Sequence, residues 1–277
     1  MTEDHTNPAS IAFVGCGNLG MAILSRAIAS EVIDPATSVV IERDADRRAQ
    51  ASKLGVRATA DAAAARGAQL VVLAVKPQHF LEVAEAIGAI SNATCVVSVM
   101  AGWSSATIRA ALSGGGAIAG GPRVVRAMPN MAAQVGVSMT AIAQGAGASS
   151  DDVADALRLF SAIGKAVEIR EELMDAAVAA VGSAPAYLFL LAEAQIAAAQ
   201  DMGLSAATAR AMAIESLLGA ATLLASDGRE PAQLRAAVTS AGGTTAAAMR
   251  VFDQGGFTVM VAAAMEAARA RSAELGK

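Results

Sequence analysis

The chain has 277 residues, a length that allows one large domain or two ordinary ones, and 55% of them are hydrophobic although only 3% are aromatic. A formal net charge of −4, with Lys and Arg scattered along the sequence, argues against nucleic acid or an anionic membrane surface as the main partner. Two distant cysteines and a polar start without the regions of a signal peptide lead us to expect a cytoplasmic protein with reduced thiols, and we expect no metal site.

The first half of the chain alternates short β-branched runs with helical stretches. Continuously apolar runs predict parallel strands covered on both faces, at residues 11–15, 38–42, 70–75, 94–99 and 123–128. Helices are predicted between them, at residues 19–29, 45–54 and 77–87. Closing strands are predicted at 137–142 and 166–169, with a helix at 151–163 between them. This repetition predicts βαβ units and therefore an α/β fold with a doubly wound Rossmann sheet.

The second half, from about Arg170, is predicted to be entirely α-helical. A long helical stretch is expected at 174–202, kinked or entered near Pro185 and ended by Gly203. Ser205 is a plausible N-cap for the next helix, and three more helices are predicted at 231–238, 244–254 and 257–275. The sequence therefore predicts two domains: a dinucleotide-binding domain over 1–168 and an all-α domain over 169–277.

Residues 176–192 carry no charged side chain and approach the length of a membrane-spanning helix. The stretch is mostly alanine, is interrupted around Pro185, and is bounded by Asp175 and Glu193, which favours a buried helix at a subunit interface. Small residues cover nearly the whole circumference of 176–199, so this helix needs burial on several sides. We expect no membrane contact and a homodimer through the C-terminal helices, with assembly into a larger ring left open.

A glycine-rich turn follows the first predicted strand and opens the next helix. The residues expected to bind a dinucleotide here are Val14, Gly15, Cys16, Gly17, Asn18, Leu19 and Gly20. Gly15 allows the tight turn, Gly17 lets the backbone approach a pyrophosphate, and Gly20 lets the helix pack on the strand. The helix N-terminus then faces the phosphates. This spacing, in this context, predicts a nicotinamide dinucleotide cofactor.

The end of the second predicted strand gives a mixed signal about that cofactor. Glu42 stands where an acidic side chain would bind the adenosine ribose of NAD(H). Arg43 follows it, with Arg47 and Arg48 one helical turn further on, as a 2′-phosphate of NADP(H) would require. These arginines could equally form a solvated helix face, and the preference between NAD(H) and NADP(H) stays open.

Two later strand ends are further candidates for the cofactor site, because ligands of open α/β sheets bind beyond the carboxyl ends of the strands. They consist of Ala74, Val75, Lys76 and Pro77, and of Met100, Ala101 and Gly102. Ordinary turns between strands and helices would explain these residues equally well.

Four motifs follow one another along the chain: Val-Lys-Pro-Gln at 75–78, Arg-Ala-Met-Pro-Asn at 126–130, Gly-Ser-Ala-Pro-Ala-Tyr at 182–187 and Ser-Ala-Gly-Gly-Thr-Thr at 240–245. Together they closely resemble the pyrroline-5-carboxylate reductase family, which makes proline by reducing a cyclic imine. Ala184 and Ala241 depart from the residues usual in that family, Gly and Pro. Reduction of another cyclic imine, or a dinucleotide-sensing protein without turnover, are therefore the alternatives.

The last of these motifs opens a helix with free backbone N–H groups and two hydroxyls, which suits a carboxylate, although a glycine hinge with a threonine cap would look the same. The resemblance implies that Gly242, Gly243 and Thr244 bind the carboxylate of the imine. It also implies that Thr245 hydrogen-bonds the ring nitrogen and that Ser240 supports the loop. From the first domain, Lys76, Pro129 and Asn130 are expected to line the cleft.

The scarcity of acid–base side chains fits this chemistry. A protonated imine is already strongly electrophilic, so its reduction does not require a powerful acid–base residue. The two histidines are His5 and His79, and His79 is expected on a helix surface. None of the four lysines lies between Met174 and Leu275, which argues against a hydroxy-acid dehydrogenase with a catalytic lysine in its helical domain.

Overall fold

The computed structural model describes residues 10–114 and 120–276. The chain divides into two compact units, Met1–Ser183 with Ala267–Lys277, and Ala184–Glu266. The polar start of the chain, with His5, and the terminal Lys277 lie outside the described residues.

The first unit contains an eight-stranded sheet in the order β3-β2-β1-β4-β5-β6-β7-β8. Its strands are β1 (Ile11–Val14), β2 (Ser38–Ile41), β3 (Arg57–Thr59), β4 (Leu70–Leu73), β5 (Cys95–Ser98), β6 (Arg123–Met128), β7 (Ser138–Gln144) and β8 (Gly164–Glu168). The first six strands are parallel and follow the Rossmann order, while β7 runs antiparallel to β6 and parallel to β8. The predicted doubly wound Rossmann sheet is confirmed.

Helices cover both faces of this sheet. They are α1 (Asn18–Ala29), α2 (Ala45–Ser52), α3 (Phe80–Ile87), α4 (Ser105–Leu112), α5 (Ser150–Ser161) and α6 (Met174–Ala177). Every residue of β2 and of β5 is buried, because each of these strands is covered from both sides. Phe13 and Phe160 belong to the core on one face of the sheet, and Phe80 and Ile87 to the core on the other. The apolar runs therefore fold as buried parallel strands.

Three features of the sheet were not predicted. β3 has only three residues, none of them buried, so it lacks the apolar run that identified its neighbours. α4 links β5 to β6 where no helix was named. The antiparallel direction of β7 follows from its connection: only the 3₁₀ turn Met131–Val135 joins it to β6, too short for the crossover that a parallel strand needs.

An ion pair joins the amino end of β6 to the start of α5. Arg123 Nε donates to Asp152 Oδ2 over 2.9 Å, and Asp152 also accepts hydrogen bonds from the backbone N–H and the hydroxyl of Ser149, each over 2.8 Å. The Asp152 side chain is 7% exposed. Burial alone would raise the pKa of Asp152, but the hydrogen bonds from Arg123 and Ser149 lower it from its usual 3.8 to about 2.

Asp152 should therefore stabilise the folded state above about pH 4, and its contribution should be lost as the pH falls through the pKa of the folded state. We expect Asp152→Asn to lower the free energy of unfolding at neutral pH by about 2 kcal/mol. We also expect it to flatten the pH dependence of stability between about pH 4 and 2. Urea unfolding across this range is the measurement. The matched control is Asp155→Asn, since Asp155 forms an exposed pair with Arg158; equal losses in both variants would contradict the prediction.

The segment after β8 leaves the sheet but stays in the first unit. It continues from α6 into a π-helical turn, Val178–Gly182. Met174 and Ala177 are buried against Met128 and Ala141. The predicted boundary at 168 coincides with the end of β8, whereas the compact unit ends at Ser183 because of this packing. The boundary at 168 stays a prediction.

The second unit is helical, as predicted. It contains α7 (Ala184–Asp201), α8 (Ala206–Ser226), α9 (Pro231–Ala237), α10 (Thr244–Gln254) and the first half of α11 (Phe257–Leu275). Within 184–266 only Ala209 and Ala213 are buried. Large apolar side chains remain exposed along its helices, among them Leu188, Phe189, Leu190, Leu218, Phe252, Val259 and Met260. An apolar surface of this extent marks an interaction site.

Two helical stretches among the described residues are long and apolar enough to span a membrane by length and composition alone. They are Glu171–Asp201, with a mean hydropathy of 1.5, and Ala206–Ser226, with a mean hydropathy of 1.2. One or two such helices are weak evidence of a membrane protein, because the core helix of a soluble protein passes the same test.

Candidate functional site

The glycine-rich turn lies between β1 and α1, where the sequence placed it. Gly15 adopts φ +88°, a left-handed conformation, and a Cβ there would lie 2.7 Å from the carbonyl oxygen of Ala74. A Cβ on Gly20 would lie 2.5 Å from the carbonyl oxygen of Gly15. Both positions therefore require glycine for the chain to turn and for α1 to pack against the strands.

Gly17 differs from these two glycines, because the protein itself leaves space for a side chain there. A Cβ on Gly17 would meet only Arg47 Nη1, at 3.6 Å. Gly17 is the N-cap of α1, makes no side-chain capping bond, and no acidic residue stands in the first turn of the helix. The free N–H groups and the positive end of the helix dipole thus face open space, and this cradle fits a pyrophosphate.

A cleft of about 290 Å³ adjoins this turn and is lined by residues of the turn, of α1 and of α2, including Gly17, Asn18, Met21, Arg47 and Gln50. Cys16 is buried beside it. Burial first, and then the nearby carboxylate of Glu42, raise the pKa of the Cys16 thiol to about 11, although Arg47 opposes this rise. Cys16 therefore contributes its backbone to the turn and not a reactive thiolate.

The end of β2 is organised by Glu42. Its Oε2 accepts a hydrogen bond from the backbone N–H of Cys16 over 2.8 Å, and its Oε1 accepts one from the N–H of Asp44 over 3.0 Å. Arg48 donates to the carbonyl oxygens of Glu42 and Arg43. The side chains of Glu42 and Arg48 therefore both bind backbone groups of the chain. The position of Glu42 in the sequence did not reveal these contacts.

Two further strand ends lie at the same edge of the sheet and are joined by Trp103. Its Nε1 donates to the carbonyl oxygen of Pro77 over 3.1 Å, and its ring meets Phe80 edge-on at 4.8 Å. The chain from Ala74 to Pro77, in which Lys76 is exposed, is thereby tied to the chain after β5. Sequence reasoning missed Trp103, although it is the only tryptophan of the chain.

The structure gives three of the candidate positions, Met100, Ala101 and Gly102, a packing role. Met100 is buried, and Ala101 packs on the cluster that contains Met174. Gly102 adopts φ +81°, and a Cβ there would lie 2.6 Å from the carbonyl oxygen of Ser272 and 2.9 Å from the nitrogen of Gly276. The end of α11 therefore explains why residue 102 is glycine.

Pro129 is buried and Asn130 is half-buried, directly after β6. Asn130 Oδ1 accepts from the N–H of Ala132, and its Nδ2 donates to the carbonyl oxygen of Val181 over 3.2 Å. The side chain thus ties the end of β6 to the π-helical turn. His79 stands at the start of α3, with Nδ1 4.0 Å from Glu82 Oε2.

In the second unit, the Ser240–Thr245 motif forms the start of α10. Gly243 is the N-cap, no side chain caps the helix, and its first turn holds no acidic residue. The N–H of Gly243 donates to the carbonyl oxygen of Ser240 over 3.0 Å, which closes the turn. Gly242 adopts φ +71°. Thr244 is exposed and Thr245 half-buried, so this end of the helix presents N–H groups and hydroxyls suited to an anion.

Among residues 10–114 and 120–276, no three His, Cys, Asp or Glu side chains form a group that could hold a metal ion. Cys16 and Cys95 are both free and buried. The candidate site residues of the first unit thus gather at the carboxyl edge of the sheet, while those of the second unit gather at the start of α10.

Comparison with known proteins places these features in a family. A family model described as pyrroline-5-carboxylate reductase dimerisation matches residues 171–275, and one described as NADP oxidoreductase, coenzyme F420-dependent, matches residues 10–102. The pyrroline-5-carboxylate reductase of Synechocystis is 37% identical over 269 residues, covering 96% of this chain and 98% of that protein. That of Corynebacterium melassecola is 38% identical over 274 residues, covering 97% and 99%.

A solved pyrroline-5-carboxylate reductase from Coxiella burnetii has a TM-score of 0.84 and 31% sequence identity, and covers 98% of this chain and 100% of that one. The Rossmann sheet, the open glycine-rich turn and these matches define the class: an NAD(P)H-dependent oxidoreductase with a helical dimerisation domain. The chain belongs to the pyrroline-5-carboxylate reductase family. It is therefore a homo-oligomeric enzyme that acts on a small molecule.

Proposed function

We infer that this chain reduces 1-pyrroline-5-carboxylate to L-proline with a hydride from NADPH or NADH. The observation that carries the inference is the glycine-rich turn at the carboxyl edge of a Rossmann sheet, in a chain whose relatives over nearly the full length are pyrroline-5-carboxylate reductases. The turn is the reason for inferring a dinucleotide cofactor, and membership of the family is the reason for inferring this substrate.

The bound nicotinamide supplies the hydride, and the residues of the chain hold the reactants. The turn from Gly15 to Gly20 holds the pyrophosphate through backbone N–H groups, because Gly17 leaves the approach open. The neighbouring loops, from Ala74 to Pro77 and from Met100 to Gly102, bound the dinucleotide at the same edge. Trp103 fixes these two loops to each other, which keeps the edge rigid.

The substrate needs a place for its carboxylate and a partner for its ring nitrogen. The N–H groups at the start of α10, from Gly242 to Thr244, bind the carboxylate without any arginine. The hydroxyl of Thr245 hydrogen-bonds the ring nitrogen, and Ser240 supports the turn through its bond to Gly243. Lys76, Pro129 and Asn130 are proposed to line the site, with Asn130 acting through the backbone that it holds.

The reaction requires no strong acid–base side chain. In the protonated imine the carbon already carries positive charge, so it accepts the hydride directly while the nitrogen keeps its proton and becomes the amine of proline. Positioning and a hydrogen bond to the nitrogen are the contributions left to the protein. His79, beside Glu82 on α3, has no part in this scheme.

The test follows the oxidation of NADPH or NADH by absorbance, with purified protein and 1-pyrroline-5-carboxylate. Rapid oxidation that depends on the imine, with proline as product, is expected. Measurable cofactor binding without oxidation would contradict 1-pyrroline-5-carboxylate as the substrate. Other cyclic imines would then be tested, and Ala184 and Ala241 would be the first positions to change to the usual Gly and Pro.

The exposed apolar helices of the second unit support an intertwined homodimer that covers α7 and α8, with no membrane involved. We expect size-exclusion chromatography with light scattering to give at least twice the mass of one chain at micromolar protein without detergent. A monomer under these conditions would contradict the dimer, and a larger mass would indicate a ring. Two free cysteines support a cytoplasmic location.

A further inference from the structure

The motif at residues 182–187 has no role in the reaction described above. It begins at the end of the π-helical turn Val178–Gly182 and continues into α7 through Pro185. A π-helical turn departs from the regular hydrogen bonding of an α-helix and is found frequently at functional sites. The contacts of this turn therefore indicate what the motif contributes.

Pro185 changes the hydrogen bonding of this stretch. In an α-helix the carbonyl oxygen of Val181 would accept a hydrogen bond from the N–H of residue 185, but proline has no N–H. The N–H of Ser183 donates to the carbonyl oxygen of Val178 over 2.9 Å, which closes the π-helical turn. The Val181 carbonyl thus lacks its α-helical donor at a half-buried position, where an unpaired carbonyl is unfavourable.

Asn130 supplies a donor to that carbonyl. Its Nδ2 donates to the oxygen of Val181 over 3.2 Å, while its Oδ1 accepts from the N–H of Ala132 over 3.1 Å. The backbone N–H of Asn130 donates to the hydroxyl of Ser138 over 3.1 Å. One end of the side-chain amide therefore caps the 3₁₀ turn after β6, and the other end holds the π-helical turn.

Strand β6 contacts the segment around this turn at two further points. Arg126 Nη1 lies 3.8 Å from Glu171 Oε1, and Met128 is buried against α6. Arg126 and Met128 share one face of the strand, because residues two apart in a strand do. A Cβ on Gly182 would lie 3.2 Å from Met128 Sδ, so the π-helical turn lies directly against the strand. The stretch from Glu171 to Gly182 is thus fixed to β6 at both of its ends.

We propose that Asn130 is a positioning residue for the reduction: it replaces the helical donor that Pro185 removes, and so fixes the turn from which the chain enters the second unit. The inference rests on the proposed function, in which the dinucleotide turn belongs to the first unit and the α10 motif to the second. The chain leaves the first unit directly after Ser183, so a loosened turn places the groups of α10 less accurately for hydride transfer.

Asn130→Ser removes the donor to Val181 and adds no charge, because serine is too short to reach that carbonyl but still caps the 3₁₀ turn. We expect kcat for 1-pyrroline-5-carboxylate to fall by roughly tenfold, the effect of one hydrogen bond lost from a half-buried group. The Kd for NADPH should stay unchanged. A weaker Kd for NADPH with kcat unchanged would overturn the proposal, since it would place the Asn130 side chain against the cofactor.

Pro185→Ala separates positioning from direct contact with the reactants, because it returns an N–H that can donate to the Val181 carbonyl. In the Pro185→Ala background, Asn130→Ser should lower kcat by less than about threefold, measured against Pro185→Ala alone. An equal loss of roughly tenfold in both backgrounds would overturn the proposal, because the contribution of Asn130 would then not depend on the missing helical donor.

Hydrogen exchange followed by mass spectrometry tests the same contact without turnover. Asn130→Ser should speed exchange in the peptide that covers residues 178–187 by about tenfold and leave the peptide that covers α1 unchanged. Wild-type exchange at residues 178–187 would overturn the proposal. Faster exchange there, in a protein whose wild type does not reduce the imine, would instead contradict the proposed function and leave Asn130 as the residue that fixes the turn.

Discussion

Gly17→Ala is expected to weaken cofactor binding by up to roughly a hundredfold while the protein stays folded. A Cβ on Gly17 would meet only the flexible end of Arg47 in the free protein, at 3.6 Å, so the folded chain has room for it. The same Cβ would occupy the space through which the pyrophosphate approaches the backbone. Overpacking of this kind costs about 1 to 3 kcal/mol, which is up to roughly a hundredfold in Kd.

Gly15→Ala is the matched control, because the same methyl group there conflicts with the protein and not with the ligand. The left-handed φ of +88° and the carbonyl oxygen of Ala74 at 2.7 Å both oppose a side chain. The variant should lose about 3 kcal/mol of folding stability. Thermal unfolding and NADPH titration of both variants distinguish the two glycines. A destabilised Gly17→Ala, or one that binds cofactor as the wild type does, would contradict the role of Gly17.

This contrast shows what the spacing of glycines can predict and what it cannot. The motif placed the turn correctly because its glycines reflect local backbone geometry. Gly102 has the same local appearance, yet its requirement comes from Ser272 and Gly276, at the far end of the sequence. No pattern around residue 102 carries that information.

The same limit applies to polar side chains. Glu42 was a candidate for the adenosine ribose because of its position after the second strand, and Asn130 was expected to line the cleft because of the family resemblance. In the structure Glu42 holds Cys16 and Asp44, and Asn130 holds Val181. Hydrogen-bond partners depend on tertiary structure, whereas strand positions depend on apolar runs that are visible locally. Hence the Rossmann sheet could be predicted almost completely, apart from the short β3 and the direction of β7.

The helical unit could be predicted for a different reason. Its sequence shows helices without an apolar stripe, and the structure shows the same helices with only Ala209 and Ala213 buried. A helix that is apolar all round must be covered on several sides. The unit does not provide that cover itself, so the composition of the helices and the exposure of their side chains indicate the same homo-oligomer.

Thr245→Ala is expected to lower kcat/KM for 1-pyrroline-5-carboxylate by roughly tenfold to a hundredfold, if its hydrogen bond to the ring nitrogen strengthens as the hydride is transferred. Thr245 stands in the first turn of α10, after an N-cap at Gly243 that no side chain caps, so its hydroxyl lies beside the N–H groups proposed to bind the carboxylate. Loss of a bond made mainly in the transition state lowers kcat, whereas loss of one made equally in the bound substrate raises KM.

The hydroxyl can be separated from the shape of the residue by Thr245→Ser and Thr245→Val. Serine keeps the hydroxyl and should recover most of the activity, while valine keeps the shape and should behave like alanine. The affinity for NADPH and the melting temperature should stay unchanged in all three variants, because the residue is only half-buried and belongs to the second unit. Wild-type kinetics in Thr245→Val would remove Thr245 from the reaction and leave the backbone of α10 as the sole contribution of this motif.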